Sequence, residues 1–185
     1  MTAYKEIPLW WYGLLFAATF AGGIVGIEIF PTGLPVWGYI ISLLIPILLM
    51  LPVGIIRAIT NQWITLSFLS ELIGGYIADG KPVAQMMFKV YMTYSSEQAS
   101  SYLTAMKMGH YMKVPPRVMF LAMTVSVFVT AFVTQAVVDG VLANVPDACT
   151  PLSATFSCPS NGVMADSATI WGAVGPRRLF SPGKL

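Results

Sequence analysis

Long apolar runs alternate along the chain with short polar or charged punctuation, and the runs have the lengths of membrane-crossing helices. Ile7 to Ile27 carries no charged residue, and neither do Ile29 to Ile56 or Val118 to Val138. About 20 predominantly apolar residues suffice to cross a hydrocarbon core of ~30 Å as a helix. The pattern therefore predicts spans over 7–28, 36–57 and 117–139. Trp10, Trp11 and Tyr12 open the first span, at the depth where aromatic rings favour the interface. Gly22 and Gly26 form a small-xxx-small pair that lets a neighbouring helix come close. Pro46 and Pro52 fall inside the second span, where a membrane helix tolerates them if neighbours or water meet the freed carbonyls.

Between these spans the pattern changes. Asn61, Gln62, Thr65, Ser67, Ser70 and Glu71 are scattered among apolar residues, and Gly74-Gly75 interrupts the far end. Asp79-Gly80-Lys81-Pro82 reads as a turn, and the next apolar segment is short and carries Lys89. The stretches 58–79 and 82–95 thus predict a broken or re-entrant helix pair, backbone that is allowed at membrane depth only where it lines a cavity or is covered by protein. Glu97 to Lys107 is weakly amphipathic and suits an interfacial helix. The polar stretch 143–168, rich in proline and serine, predicts an exposed loop.

Composition settles the class. Of 185 residues, 56% are hydrophobic and only 10% charged, against about 25% charged in soluble domains. The expected fold is an all-α integral membrane protein, a single membrane domain over 1–185 with three clear spans and the broken pair. A net charge of +2, with the basic residues at segment ends, gives no support to nucleic acid as a partner. One histidine and two loop cysteines offer no metal constellation, and neither a phosphate loop nor a nucleophile–base pair stands in the spans. No cofactor and no enzymatic activity are expected, and a membrane-embedded enzyme is the weaker alternative.

The basic residues orient the chain. Lys107, His110, Lys113 and Arg117 form its densest basic run, at the mouth of the last span, which places the loop 96–117 in the cytosol. That span then delivers 143–168 to the extracellular or lumenal side, where a disulfide between Cys149 and Cys158 would persist. Lys113 and Arg117 suit topology and anionic lipid headgroups better than substrate. His110 is the chain's one histidine, but it stands between Lys107 and Lys113, which argues for a topological role over a proton relay. Glu71 at membrane depth is costly in its charged form and must face protein or a wet cavity. It is either a structural acid paired with a neighbouring helix or a carboxylate that handles protons or a substrate amine. Lys89 likewise needs a partner, for which Glu71 and Asp79 are both in reach.

The run Gly109 to Phe120, with Lys113-Val114-Pro115-Pro116-Arg117 at its centre, resembles the Lys-Ile-Pro-Pro-Arg signature of the oligopeptide transporter family, with valine for isoleucine. Pro31-Thr32, Thr60-Asn61-Gln62, Phe88-Lys89-Val90-Tyr91, Cys158-Pro159 and Ile170-Trp171-Gly172 are similar in the same order along the chain. The resemblance implies a plasma-membrane protein of the fungal and plant type that carries small peptides, tetra- and pentapeptides or glutathione, together with protons. Asn61 and Gln62 would then hydrogen-bond a peptide backbone, and the polar broken pair would line the path with Glu71 and Lys89. The family's Asn-Pro-Gly stretch is absent, and its members have many more spans. The chain is accordingly expected to be an internal piece that works with further helices in the bilayer, or else a non-transporting remnant.

Overall fold

The computed structural model describes residue 4, residues 6–145, residue 149 and residues 158–181. Every regular element among them is helical: α1 Leu9–Ile29, α2 Val36–Thr60, α3 Ser67–Ile77, α4 Pro82–Tyr111, α5 Pro116–Asn144, α6 Pro159–Ser167, a π-helical segment Ala168–Val174 and α7 Pro176–Leu179. Among the described residues α1, α2 and α5 are long and apolar enough to cross a membrane. The protein is thus of the all-α membrane class.

The helices group into two compact units, one of residues 9–101 and 164–185, the other of residues 1–8 and 102–163. The first is built on α2. Tyr39, Ser42, Pro46 and Val53 recur at helical spacing and are buried along one face. Tyr39 meets Phe20 of α1 with ring centroids 5.6 Å apart and Tyr91 of α4 at 4.9 Å, within the range of favourable aromatic pairs. Both prolines are accommodated inside α2. Phe88 and Met92, one turn apart on α4, are fully buried in the same core.

α2 ends because Asn61 turns into the left-handed region (φ 55°) and donates its N–H to the Arg57 carbonyl at 2.9 Å. Asparagine is among the few non-glycine residues that take this cap easily. Residues 61–66 are non-helical, and Arg57 folds back over the ring of Trp63, 3.7 Å from its centroid. α3 then runs for only 11 residues, about 16 Å at 1.5 Å per residue. Its glycines admit close neighbours: a Cβ at Gly74 would lie 2.9 Å from the Phe88 ring, and one at Gly75 would lie 2.6 Å from both Pro176 and the Trp171 carbonyl.

Two boundaries differ from the sequence pattern. The segment expected over 82–95 is the first half of a single helix that continues to Tyr111, absorbing the expected interfacial piece. Hydropathy falls at Ser95-Ser96-Glu97, but backbone hydrogen bonding does not require apolar side chains. Within 143–168, α5 extends to Asn144 and α6 begins at Pro159; residues 146–148 and 150–157 lie outside the described set. The helix pair Gly22 and Gly26 faces open space, and Gly23 is the glycine that abuts Tyr39.

In the second unit, Lys113 to Arg117 is explained by turn chemistry. Lys113 is left-handed (φ 58°). Its N–H bonds the His110 carbonyl at 3.2 Å, and the Val114 N–H bonds Gly109 at 3.0 Å. This pair of bonds closes the end of α4 in the Schellman pattern. Pro115 is extended (φ −57°, ψ 128°), as a residue before proline prefers, and Pro116 occupies the first turn of α5, where its missing donor costs nothing. Arg117 Nε donates to the Glu6 carbonyl at 3.0 Å.

Candidate functional site

The site is assembled where α3, α4 and the end of α6 meet in the first unit. Glu71 stands on α3, Lys89 on the adjacent face of α4 and Ser167 on the last turn of α6. Lys89 Nζ donates to Glu71 Oε1 at 2.6 Å and to Ser167 Oγ at 3.1 Å. Ser167 Oγ in turn donates to Glu71 Oε1 at 2.9 Å, closing a triangle of polar contacts. The charged side chains are only 12% and 15% exposed. Of the two acids in reach of Lys89, the folded chain selects Glu71.

Hydrophobic packing on either side fixes this geometry. Phe88, next to Lys89, packs against Gly74, and Ser70, next to Glu71, is fully buried with its hydroxyl 3.0 Å from that of Thr93. Two polar links one helical turn apart therefore hold α3 to α4. Two charges so little exposed are held because each faces the other and the serine meets a further lone pair and donor; a lone charge there would be unfavourable. Proton uptake by Glu71 would remove the attraction holding the pair, while the Ser167 hydroxyl can rotate to accept from the acid.

Asn61 and Gln62 are elsewhere, exposed in the break between α2 and α3; the Gln62 N–H bonds Thr60 Oγ1 at 3.2 Å, and neither residue joins the Glu71 cluster. Lys107 lies over the Tyr111 ring at 5.1 Å, and His110 lines a cavity of about 210 Å³ with Glu6, Gly109, Val114 and Met119. Lys113, Pro115, Pro116 and Arg117 form the helix-to-helix turn already described, and Cys149 is disulfide-bonded to Cys158. Ser167 is the member that sequence reasoning missed. Pro159, well placed for a helix start, signals the helix that carries it, but nothing local signals a contact 96 residues away. A separate, mostly apolar cavity of about 390 Å³ opens among α1, α2 and α4, walled by Phe20, Tyr39, Met50 and Tyr91, with Thr19, Ser95 and Ser96 among its polar residues. Among the described residues no cluster of histidine, cysteine and acidic side chains could hold a metal ion.

Comparison with known proteins supplies the context. The family model of the OPT oligopeptide transporter protein matches residues 1–182. The chain is 39% identical to Oligopeptide transporter 7 of Arabidopsis thaliana, over 97% of its own length and 24% of the relative's. It is 37% identical to Glutathione transporter 1 of Schizosaccharomyces pombe (100% and 22%) and 35% identical to Oligopeptide transporter 2 of Saccharomyces cerevisiae (98% and 21%). The chain therefore spans about a quarter of the length of the relatives it matches. No solved structure matches it.

Proposed function

Because the chain belongs to the OPT oligopeptide transporter family, we propose that it contributes to a pathway carrying small oligopeptides, tetra- and pentapeptides and glutathione among them, across a membrane together with protons. The observation that carries this reading is the Glu71–Lys89–Ser167 triangle: a carboxylate and an ammonium held together at a junction of three helices, in a family whose named members are transporters. Glu71 takes up a proton on one side and releases it on the other, and the loss and recovery of its bond to Lys89 biases α3 between two positions against α4. Such a bistable element is what alternating access requires. The exposed amides of Asn61 and Gln62 are available to peptide backbone groups at the break, and the aromatic-walled cavity suits apolar side chains. The protein works in the plasma membrane in contact with lipid and further helices, with 96–117 cytosolic and 143–168 outside.

The test places this chain in a transport context. The matching stretch of the Schizosaccharomyces pombe relative is replaced by residues 1–185, and uptake of labelled tetrapeptide and of glutathione is measured with and without a proton gradient. The chimera is expected to take up peptide in a gradient-dependent way, and E71Q within it to lose the gradient dependence. Gradient-driven uptake unchanged by E71Q would remove the proton role from Glu71. Absence of peptide uptake by a chimera that reaches the cell surface would remove the transport reading.

A further inference from the structure

Two cavities, of about 440 and 580 Å³, open at the end of the first unit where α3 hands over to α4, and they share Tyr76, Asp79 and Arg177 in their walls. Arg178 completes one and Lys81 the other. Three exposed cations and one exposed carboxylate thus line two adjoining concavities. Among the described residues no acid lies within ion-pair distance of any of the three, the Glu71–Lys89 pair being the ion pair recorded there. The backbone beneath them is tightly specified. The Gly80 N–H bonds the Gly172 carbonyl at 3.0 Å, which ties the turn carrying Asp79 and Lys81 to the π-helical segment. Gly175 (φ 77°) passes so close that a Cβ there would lie 2.6 Å from Asp79 Oδ1. It leads directly into Pro176-Arg177-Arg178, and Pro176 is packed on Gly75.

On the reading of the preceding subsection, we propose that this paired cavity is a carboxylate-binding vestibule for the peptide substrate. Arg177, in the shared wall, engages the terminal carboxylate, and Lys81 and Arg178 flank it. A guanidinium presents parallel donors that match a carboxylate, so Arg177 supplies both charge and direction. Charge placement supports a ligand role. Lys81 packs beside Gly33, its Cδ 3.5 Å from where a Cβ would stand, so the vestibule lies at the same end as the turn between α1 and α2. In the orientation proposed above that end is outside, where a topology signal would not place cations. Uncompensated cations at an outer mouth concentrate anionic ligands before entry.

The test uses the chimera of the preceding subsection in phosphatidylcholine nanodiscs and a fluorescent tetrapeptide with a free carboxyl terminus, compared with its carboxyl-terminal amide. Amidation is expected to weaken binding by about tenfold or more, in line with the loss of a hydrogen bond to a charged group. R177Q is expected to bind both peptides alike, while R177K, which keeps the charge, retains part of the difference. Equal binding of acid and amide by the unaltered chimera overturns the vestibule and leaves peptide binding standing. So does an R177Q chimera that still discriminates, or one whose only change is weaker retention of phosphatidylserine added to the discs, since the cations would then serve a lipid phosphate. Binding of neither peptide takes down the peptide reading itself.

Discussion

Ser70 Oγ and Thr93 Oγ1 stand 3.0 Å apart in the buried seam between α3 and α4, one helical turn along α4 from Lys89. Ser70 also donates to the Ser67 carbonyl at 2.6 Å, so the Thr93 hydroxyl is the group best placed to give its proton across the seam. Removing either oxygen leaves the other buried with one partner fewer. S70A and T93A should each lower stability by about 1 kcal/mol, and the double variant by less than the sum. Thermal unfolding of the four proteins in one detergent completes the cycle; strict additivity would show that the hydroxyls do not interact.

The ion pair beside it makes a stronger demand. K89M leaves Glu71 without its cation in a partly buried site, and a cost of about 1–3 kcal/mol follows, below the figure for a fully buried pair. The double variant E71L/K89M removes both charges and should recover most of that loss while lacking gradient-driven uptake in the chimera. A double variant no more stable than K89M would mean that the pair does more for packing than its charges account for.

Gly22 and Gly23 should respond oppositely to alanine. A methyl group at Gly22 meets open space, so G22A should be neutral or stabilising by up to about 1 kcal/mol through helix propensity. At Gly23 the new methyl collides with the Tyr39 ring, which is itself wedged between Phe20 and Tyr91. G23A should cost about 1–3 kcal/mol as overpacking. Unfolding temperatures of the two variants decide the matter, and the order G22A above G23A is the expected result.

Lys113 closes α4 with a positive φ that a lysine adopts at a cost of about 1 kcal/mol and glycine adopts freely. K113G should therefore stabilise the turn while weakening any hold on anionic lipid. Protection of the Val114 amide against hydrogen exchange should rise; a fall would mean that the lysine side chain stabilises the turn by other contacts.

Gln85 is fully buried, and among the described residues neither atom of its amide has a hydrogen-bond partner. Q85M keeps the length and removes the desolvation penalty, and should raise stability by about 1–2 kcal/mol. A lower unfolding temperature for Q85M would reveal a partner for the amide in the membrane.

The spans were legible because their cause is local: an uncharged apolar run of sufficient length behaves alike in any fold. The expected 7–28, 36–57 and 117–139 lie within five residues of the edges of α1, α2 and α5, the start of α2 coinciding. The expected turn at Asp79 to Pro82 falls between α3 and α4, but the expected piece 58–79 is itself divided by non-helical residues 61–66, and α3 runs on through Gly74 and Gly75 where the pattern places an interruption. The continuity of α4 past Ser95 was not, because hydropathy marks where a helix leaves an apolar setting and not where it ends. At the candidate site, Glu71 and Lys89 stood out as charges in apolar surroundings, yet the choice of Glu71 over Asp79 and the arrival of Ser167 depend on long-range packing that no periodicity encodes.

The pairing of Glu71 with Lys89 also has an electrical consequence. As an ion pair the site carries no net charge, so the membrane voltage does almost no work when the paired groups are carried across part of the field. A proton on Glu71 turns the same site into a single positive charge on Lys89. Moving that charge through the full field is worth about 2.3 kcal/mol per 100 mV. On the proposed mechanism, an inside-negative voltage would pull the protonated form inward and leave the unprotonated form indifferent, adding an inward bias to whatever the proton and peptide gradients supply.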